Sequence, residues 1–126
     1  MGNYKELIVW QKSVDLVTDI YSCTKNFPKE ELYSLTSQIR RSSISIPSNI
    51  AEGHSRRSQV DYLQFLKIAR GSCAEFETQL IISKNLNYLN TDEFDHLSKK
   101  SEEIAKMLNA LITKLQTNSK NLIPKP

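Results

Sequence analysis

Apolar residues recur along most of the chain at alternating steps of three and four, which is the period of an amphipathic α-helix. Four segments carry this pattern, and no strand-like alternation is long enough to compete with it. The first segment runs from Leu7 to Thr24. It ends before Phe27 and Pro28, because a proline disfavours helix in the residue that precedes it.

The second segment differs from the others in having a polar middle. It begins near Lys29 to Leu32 and ends at Gly53, a residue type that often follows a helix end. Its stripe contains Ser42 and Ser43 where aliphatic residues are expected, and Pro47 lies four residues further on. Proline lacks the backbone donor and crowds the preceding turn. The pattern therefore predicts a proline-kinked second helix.

The third and fourth segments have recognisable beginnings. The third starts at Ser58, a good N-terminal cap, and runs towards Asn87. The fourth begins at Thr91 or Asp92 and continues to Leu115, with acidic residues in its first turn as the helix dipole favours. Four amphipathic helices with short connections predict an all-α, up-down-up-down four-helix bundle. We expect the bundle to span residues 1–118 and a flexible tail to follow over residues 119–126.

Several polar residues of the second and third helices are candidates for a structural network. Small serines allow two helices to approach closely, and their hydroxyls are suited to bond the carbonyls that Pro47 leaves without a donor. Asn49 and Glu52 lie three residues apart, on one helical face, where they are suited to pair with the third helix. The predicted network consists of Ser43, Pro47, Asn49, Glu52 and Glu75.

The apolar positions outnumber those that one bundle core requires, which is roughly three in seven. The surplus residues on the first and third helices are Ile8, Val9, Leu16, Ile20, Phe65 and Ile68. A second apolar face would support self-association. A wide core stripe with a few exposed aliphatic residues explains the same pattern equally well.

The bulk properties exclude several classes of protein. The chain has 126 residues, a net charge of +3 and no apolar run near the roughly 20 residues that span a bilayer. Its N-terminus has no signal-peptide core, so we expect a cytoplasmic protein with no membrane association. The two cysteines, Cys23 and Cys73, fall on apolar stripes and are interpreted as small buried hydrophobic residues.

The sequence contains few features that are typical of an enzyme. The two histidines, His54 and His96, lie on different segments, and neither has a partner at the spacing of a metal site. Three isolated glycines do not form a phosphate-binding loop. We therefore expect no metal, no cofactor and no enzymatic activity.

The arginines are concentrated in one part of the chain. All five lie between positions 40 and 70, and only one of the twelve lysines falls in that window. Arginine forms planar, bidentate contacts with phosphate or carboxylate groups. The candidate contacts to nucleic acid are Arg40, Arg41, Arg56, Arg57, Lys67 and Arg70. Salt bridges within the protein or across an interface, with Glu52, Glu75 or Glu77, remain an alternative, and solvated surface charge is a third.

Several motifs together resemble a known family. They are Leu7 to Gln11, Phe27-Pro28 with Glu31 to Tyr33, Leu35 to Arg41, Ser45 to Gly53, and Phe65 to Ser72 with Glu75 and Glu77. In order and spacing the chain is similar to bacterial four-helix bundle proteins encoded in the intervening sequences of 23S ribosomal RNA genes. Relatives of that family include the accessory variability determinant proteins of diversity-generating retroelements.

The resemblance implies a ring-shaped homo-oligomer, typically a homopentamer, without enzymatic activity. For the retroelement relatives it implies binding to RNA or DNA and to a reverse transcriptase. We therefore expect a bundle that binds nucleic acid, in the first place structured RNA, through electrostatic contacts with phosphates. The alternative is an interaction scaffold or accessory subunit whose arginines form salt bridges to other subunits or to a partner protein.

Overall fold

The protein forms four α-helices, which a computed structural model describes within residues 2–122, with side chains through residue 118. Two short 3-10 turns, Tyr4–Glu6 and Lys29–Glu31, precede the first and second helices. The helices are α1 (Ile8–Thr24), α2 (Leu35–His54), α3 (Gln59–Asn85) and α4 (Thr91–Leu122). Residues 2–122 contain no β-strand, which confirms the predicted all-α class with four helices.

The second helix begins later than the sequence predicted. Residues 29–31 form a separate 3-10 turn, closed by a bond from the Leu32 amide to the Lys29 carbonyl. The backbone of Ser34, with φ of −127° and ψ of −101°, is not helical, so α2 starts only at the next residue. The prediction merged the turn with the helix, because a single apolar stripe passes through both.

Gly53 has a different role from the predicted helix stop. It lies inside α2, which ends one residue later, at His54. A Cβ atom at Gly53 would lie 2.6 Å from the Cβ of Phe65 and 3.1 Å from the Tyr62 ring. The residue is therefore small because α2 and α3 touch there.

The ends of the other helices follow recognisable local rules. The Ser58 hydroxyl accepts a hydrogen bond from the Asp61 amide at 3.3 Å, which confirms the predicted cap of α3. After α3, Asn87 takes a φ of 63°, in the left-handed region that asparagine tolerates better than most residues. At the other end of the chain, α4 extends to Leu122, into the range predicted as a tail. Residues 123–126 of that predicted tail lie outside the described residues.

Side-chain contacts show that α4 runs antiparallel to both α3 and α1. Gln59, at the start of α3, donates from Nε2 to the carbonyl of Leu115 near the end of α4, at 3.0 Å. On α1 and α4, Lys12 pairs with Glu103, whereas Asp19, one to two turns further along α1, pairs with Lys100. Each helix packs against the next, and α1 also packs against α4, so the bundle has the up-down-up-down order.

One continuous core runs through the centre of the bundle. Its fully buried side chains come from all four helices and include Leu16, Ile46, Phe76 and Ile104. Each such side chain contributes about 1.5–3 kcal/mol through the removal of apolar surface from water. Cys73 belongs to this core, as predicted, and burial raises the pKa of its thiol to about 12.

Other predictions about individual residues fared differently. Cys23 is only partly buried, so it was predicted too deep in the core. Pro47 is buried within an α2 that continues past it, and the proline kink itself stays a prediction.

No helix in the described part of the chain combines the length and the apolar character that crossing a bilayer requires.

Two buried polar side chains lie between α2 and α3. Ser42 donates from its hydroxyl to Oε1 of Gln79 at 2.6 Å, and both residues are buried. Unpaired buried polar groups cost free energy, so this bond aligns the two helices at one register.

We predict that Ser42→Ala lowers the free energy of unfolding by about 1–3 kcal/mol, because the Gln79 amide loses a buried partner. Adding Gln79→Leu should recover much of the loss, since both polar groups are then replaced by apolar ones. Urea denaturation of the single and double variants measures this. Ser48→Ala, on the exposed side of α2, is the control and should change stability by less than about 0.5 kcal/mol. Equal effects of Ser42→Ala and Ser48→Ala would contradict the prediction.

Candidate nucleic-acid interface

Arg40 is held by groups of its own chain. Its Nε donates to the Thr24 hydroxyl at 2.8 Å, and its guanidinium lies 4.5 Å from the centre of the Tyr21 ring. Both partners belong to α1, so Arg40 ties α2 to α1. The Nη groups are not part of this contact. Arg40 therefore serves mainly to hold α2 against α1. Only the outer edge of its guanidinium, which carries the Nη groups, remains available to a ligand.

Arg41 points to a different side of α2. Consecutive helical residues are turned by about 100°, so Arg41 cannot share the α1 contact of its neighbour. It is exposed, and within the described residues it forms no salt bridge. Arg41 lines a groove between α2 and α3 that also contains Glu75 and Gln79. Its charge is therefore accessible, with one carboxylate nearby.

Arg56 and Arg57 lie in the connection between α2 and α3. Arg56 forms a salt bridge with Glu52, one turn earlier, at 2.7 Å, and its guanidinium lies 5.1 Å from the centre of the Phe65 ring. Arg57 is exposed and has no such partner among the side chains through residue 118. The pair therefore divides into one partly neutralised cation and one accessible cation.

Lys67 and Arg70 share a face of α3, one turn apart. Arg70 donates from Nη1 to Oδ1 of Asn109 on α4 at 3.3 Å, a long bond at an exposed position. Lys67 is partly buried and forms no ion pair within the described part of the molecule. Arg70 therefore lies towards α4, away from the α1 contact of Arg40.

The six predicted cations therefore do not form one patch on a single subunit. Arg40 and Arg56 are separated by most of the length of α2, roughly 24 Å at 1.5 Å per residue. Arg40, Arg41 and Arg70 face α1, the α2–α3 groove and α4, respectively. Arg40 and Arg41 still line a common cavity, but the other cations lie elsewhere, so clustering in the sequence did not become one cluster in space.

The predicted polar network forms mainly through other residues. Asn49 donates from Nδ2 to the carbonyl and the hydroxyl of Ser45, on its own helix, at 2.8 and 2.9 Å. Ser45 continues to Ser72 of α3 through a 2.8 Å bond between hydroxyls. Glu52 points instead to Arg56, and Glu75 is exposed. The polar link between the helices thus passes through serines rather than through the predicted carboxylates.

Ser43, Pro47 and Gln79 complete this region. The Ser43 hydroxyl donates to the carbonyl of Arg40 at 2.8 Å, and Pro47 is buried beside the network. Gln79, which bonds Ser42, was missed by the sequence analysis. Its signal was available, since it is a polar residue three positions after Phe76 and next to Leu80 on the stripe of α3.

Along the seam between α1 and α4, by contrast, positive and negative side chains pair with one another. Lys12 contacts Glu103 at 2.9 Å, and Lys100 contacts both Asp15 and Asp19. Burial alone would raise the pKa of Asp19, but hydrogen bonds from Lys100 and His96 lower it below its usual value. Lys12 and Lys100 are therefore already paired with carboxylates of their own chain.

The distribution of charge along the chain matches this division. Residues 35–85, which contain α2 and α3, hold seven Lys and Arg against four Asp and Glu, a net charge of +3. The remaining residues hold ten of each sign, so they contribute no net charge. The whole excess of positive charge belongs to the α2–α3 half.

An open cavity lies at the N-terminal end of α2, beside Arg40 and Arg41. Its volume is about 430 Å³. Besides the two arginines, it is lined by Tyr21, Leu32, Tyr33, Ser37 and Ile44. The cavity was not predicted from the sequence, because its walls come from α1, from Leu32 and Tyr33 after the 3-10 turn, and from α2, and no single motif contains them.

Comparisons with known proteins agree on the fold. Residues 5–110 match the family model described as 23S rRNA-intervening sequence protein. A crystal structure at 1.70 Å resolution, of a protein with unknown function from the S23 ribosomal protein family of Bacteroides thetaiotaomicron VPI-5482, is similar with a TM-score of 0.78. The two are 28% identical, and the similarity covers 84% of this chain and 96% of the other. No curated protein matches this chain.

We predict that Arg40→Ala lowers the free energy of unfolding by about 1–2 kcal/mol, because it removes the contact with the Tyr21 ring and the bond to Thr24. Arg41→Ala removes an equal charge from an exposed neighbour and should change stability by less than about 0.5 kcal/mol. Chemical denaturation of both variants measures the difference. If the two substitutions are equally costly, Arg40 does not have the structural role assigned to it.

Proposed function

Because the chain belongs to the family of 23S rRNA-intervening sequence proteins, we propose that it is a non-enzymatic, homo-oligomeric helical bundle that binds nucleic acid through phosphate contacts. Membership confirms the resemblance found in the sequence. It does not assign an activity, so the proposal depends on the charges and surfaces of this chain.

The charge asymmetry of the bundle is the observation that carries the proposal. The lysines that face the seam between α1 and α4 are neutralised by aspartate and glutamate, whereas Arg41, Arg57 and Lys67 have no acidic partner among the described side chains. Within the same described residues, Lys99, Lys106 and Lys114 of α4 form no salt bridge either, but they belong to the part of the chain that has no net charge. A cation without a protein partner is suited to bind phosphate and to release the counterions that surround nucleic acid. We assign these three side chains the main phosphate contacts.

The remaining arginines have smaller parts in this proposal. Arg40 is committed to α1, and Arg56 to Glu52, so each offers only part of its guanidinium to a phosphate. The wide spacing of the cations favours a large, structured RNA over a short ligand, since a folded RNA presents phosphates over comparable distances.

Self-association would bring the separated cations of several subunits together. The outer side of α3 exposes Ile68, Ile81 and Ile82, and Leu86 is exposed at its C-terminal cap; Gly71 lies between Ile68 and Ile81 in the chain. A Cβ atom at Gly71 would meet nothing within 4 Å, so the subunit fold does not require glycine there. Glycine inside a helix costs about 1 kcal/mol relative to alanine. A second copy packed closely on α3 would account for it.

A ring of such subunits would have a stronger field than one subunit. The family resemblance implies a homopentamer, and five copies of a chain with net charge +3 sum to fifteen positive charges. Summed charge of this size attracts polyanions over distances beyond direct contact.

An interaction scaffold is the second candidate function. The same exposed aliphatic residues of α3 are suited to a different protein, and Arg41 and Arg57 are suited to its carboxylates. A reverse transcriptase, which the resemblance implies for the retroelement relatives, is one such partner. In that case the isolated protein would not bind RNA.

We predict that the protein binds long RNA with an affinity that falls linearly with salt on a log–log plot. Arg41→Ala combined with Arg57→Ala should lower the slope by about 1.5–2, because two phosphate contacts are lost. Fluorescence anisotropy or filter binding over a range of salt concentrations measures both.

The control is Lys12→Ala combined with Lys106→Ala, which removes the same charge from the α1–α4 side. It should leave the slope nearly unchanged. Failure of the wild-type protein to bind RNA at low salt would overturn the proposal and favour the scaffold. An equal loss of slope in the control would show that binding is not localised to α2 and α3.

A separate prediction concerns the oligomer. Gly71→Leu should reduce the particle to a smaller species, because the added side chain occupies the space where the second copy approaches. Within one subunit the substitution should be tolerated, since a Cβ atom there has no neighbours within 4 Å. Light scattering measures mass, and circular dichroism measures helix content. Ala110→Leu, which adds a side chain at an exposed position of α4, is the control. An unchanged mass in Gly71→Leu would exclude this face of α3 as the interface.

A further inference from the structure

Tyr33 is unusually exposed for an aromatic residue. Its side chain is 92% accessible, the highest value among the large hydrophobic residues that the structure describes. It forms part of two adjacent depressions, the 430 Å³ cavity beside Arg40 and the groove that contains Glu75. An aromatic ring in this position covers none of the core, so its whole face is available for a contact outside the subunit.

The turn that presents Tyr33 is held in place. One carboxylate oxygen of Glu31 accepts a hydrogen bond from the Ser34 hydroxyl at 2.5 Å, and the other accepts one from the Tyr88 hydroxyl at 2.8 Å. These bonds lower the pKa of Glu31, which keeps it ionised as an acceptor. Tyr33 thus lies on a backbone segment anchored on both sides, and its ring is presented without further ordering of the chain.

The cavity is lined by both cationic and aromatic side chains. Arg40 is oriented by Thr24 and by the Tyr21 ring, and Arg41 stands next to it without a salt bridge. The side chains that line the cavity include no Asp or Glu. Most of the remaining wall is apolar, contributed by Leu32, Ile44 and the two tyrosine rings. Two guanidinium groups in such a wall complement a ligand with a flat apolar part and a negative part.

We propose that this cavity holds one unpaired nucleotide of a single-stranded segment, with the base stacked on Tyr33 and the adjoining phosphate against Arg41 and the outer edge of Arg40. Stacking on exposed aromatic rings combined with cationic contacts to the backbone is the usual way in which proteins hold single strands. The volume lies within the range of cavities that bind small ligands. This inference rests on the proposed function and adds to it a preference for unpaired bases.

The position of Glu75 determines which path a bound single strand of nucleic acid would take across the surface. Its carboxylate lies in the groove on the α3 side of Tyr33, together with Arg41. A phosphate is repelled from that groove and attracted to the α1 side, where no acidic side chain lines the cavity. A strand that stacks on Tyr33 should therefore pass over Arg40 and Arg41 rather than along the groove between α2 and α3.

The experiment compares two single-stranded ligands of equal length, an oligothymidylate and an abasic phosphodiester with the same number of phosphates. We expect the wild-type protein to bind the oligothymidylate about 5- to 150-fold more tightly, since one stacked base is worth roughly 1–3 kcal/mol. Tyr33→Ala should remove this preference and leave the salt slope unchanged. Tyr33→Phe keeps the ring and should retain the preference.

The outcomes separate this inference from the proposed function. If both ligands bind equally, and Tyr33→Ala has no effect, phosphate binding stands and the nucleotide site is wrong. If neither ligand nor long RNA binds at low salt, the proposed function fails and this inference fails with it. A change of oligomer mass in Tyr33→Ala, measured by light scattering, would show instead that Tyr33 covers a contact between copies of the chain. Circular dichroism verifies that each variant keeps its helix content.

Discussion

The close antiparallel contact between α2 and α3 is the constraint on which the rest of the structure depends. Small residues on the facing surfaces allow it, since Gly53 lies where any side chain would collide with Phe65 and Tyr62. Across the contact Ser42 bonds Gln79, and Ser45 bonds Ser72. A shift of the two helices along one another would break both bonds and leave the buried Ser42 and Gln79 without these partners, which costs free energy.

This contact also decides which arginines are available. With the serine face of α2 turned to α3, Arg40 is directed to α1, where Tyr21 and Thr24 engage it. Arg41 is left at the edge of the α2–α3 groove, and the 3-10 turn before α2 places Tyr33 beside it. The proposed phosphate contacts and the nucleotide site are therefore consequences of how α2 is rotated, rather than of a dedicated binding loop.

Much of the fold, and less of the site, was predictable from the sequence. Apolar spacing and the cap at Ser58 located four helices, because helix periodicity and end signals are local. The start of α2 was placed too early, because the stripe does not distinguish a 3-10 turn from a helix. For the site, the concentration of arginine was visible, yet the division of Arg40 and Arg41 into a structural and an accessible residue was not, since it depends on neighbours from α1 and α3.

The sequence by itself determined the number of helices, their amphipathic faces, and the excess of positive charge between residues 35 and 85, because each is a property of local composition and period. Only the tertiary structure decided which cations are neutralised, why Gly53 is glycine, and that Tyr33 stands exposed beside two guanidinium groups. These features join residues far apart in the chain, as with Glu31 and Tyr88 at 2.8 Å. Contacts between residues so far apart in the chain form only when the helices pack together.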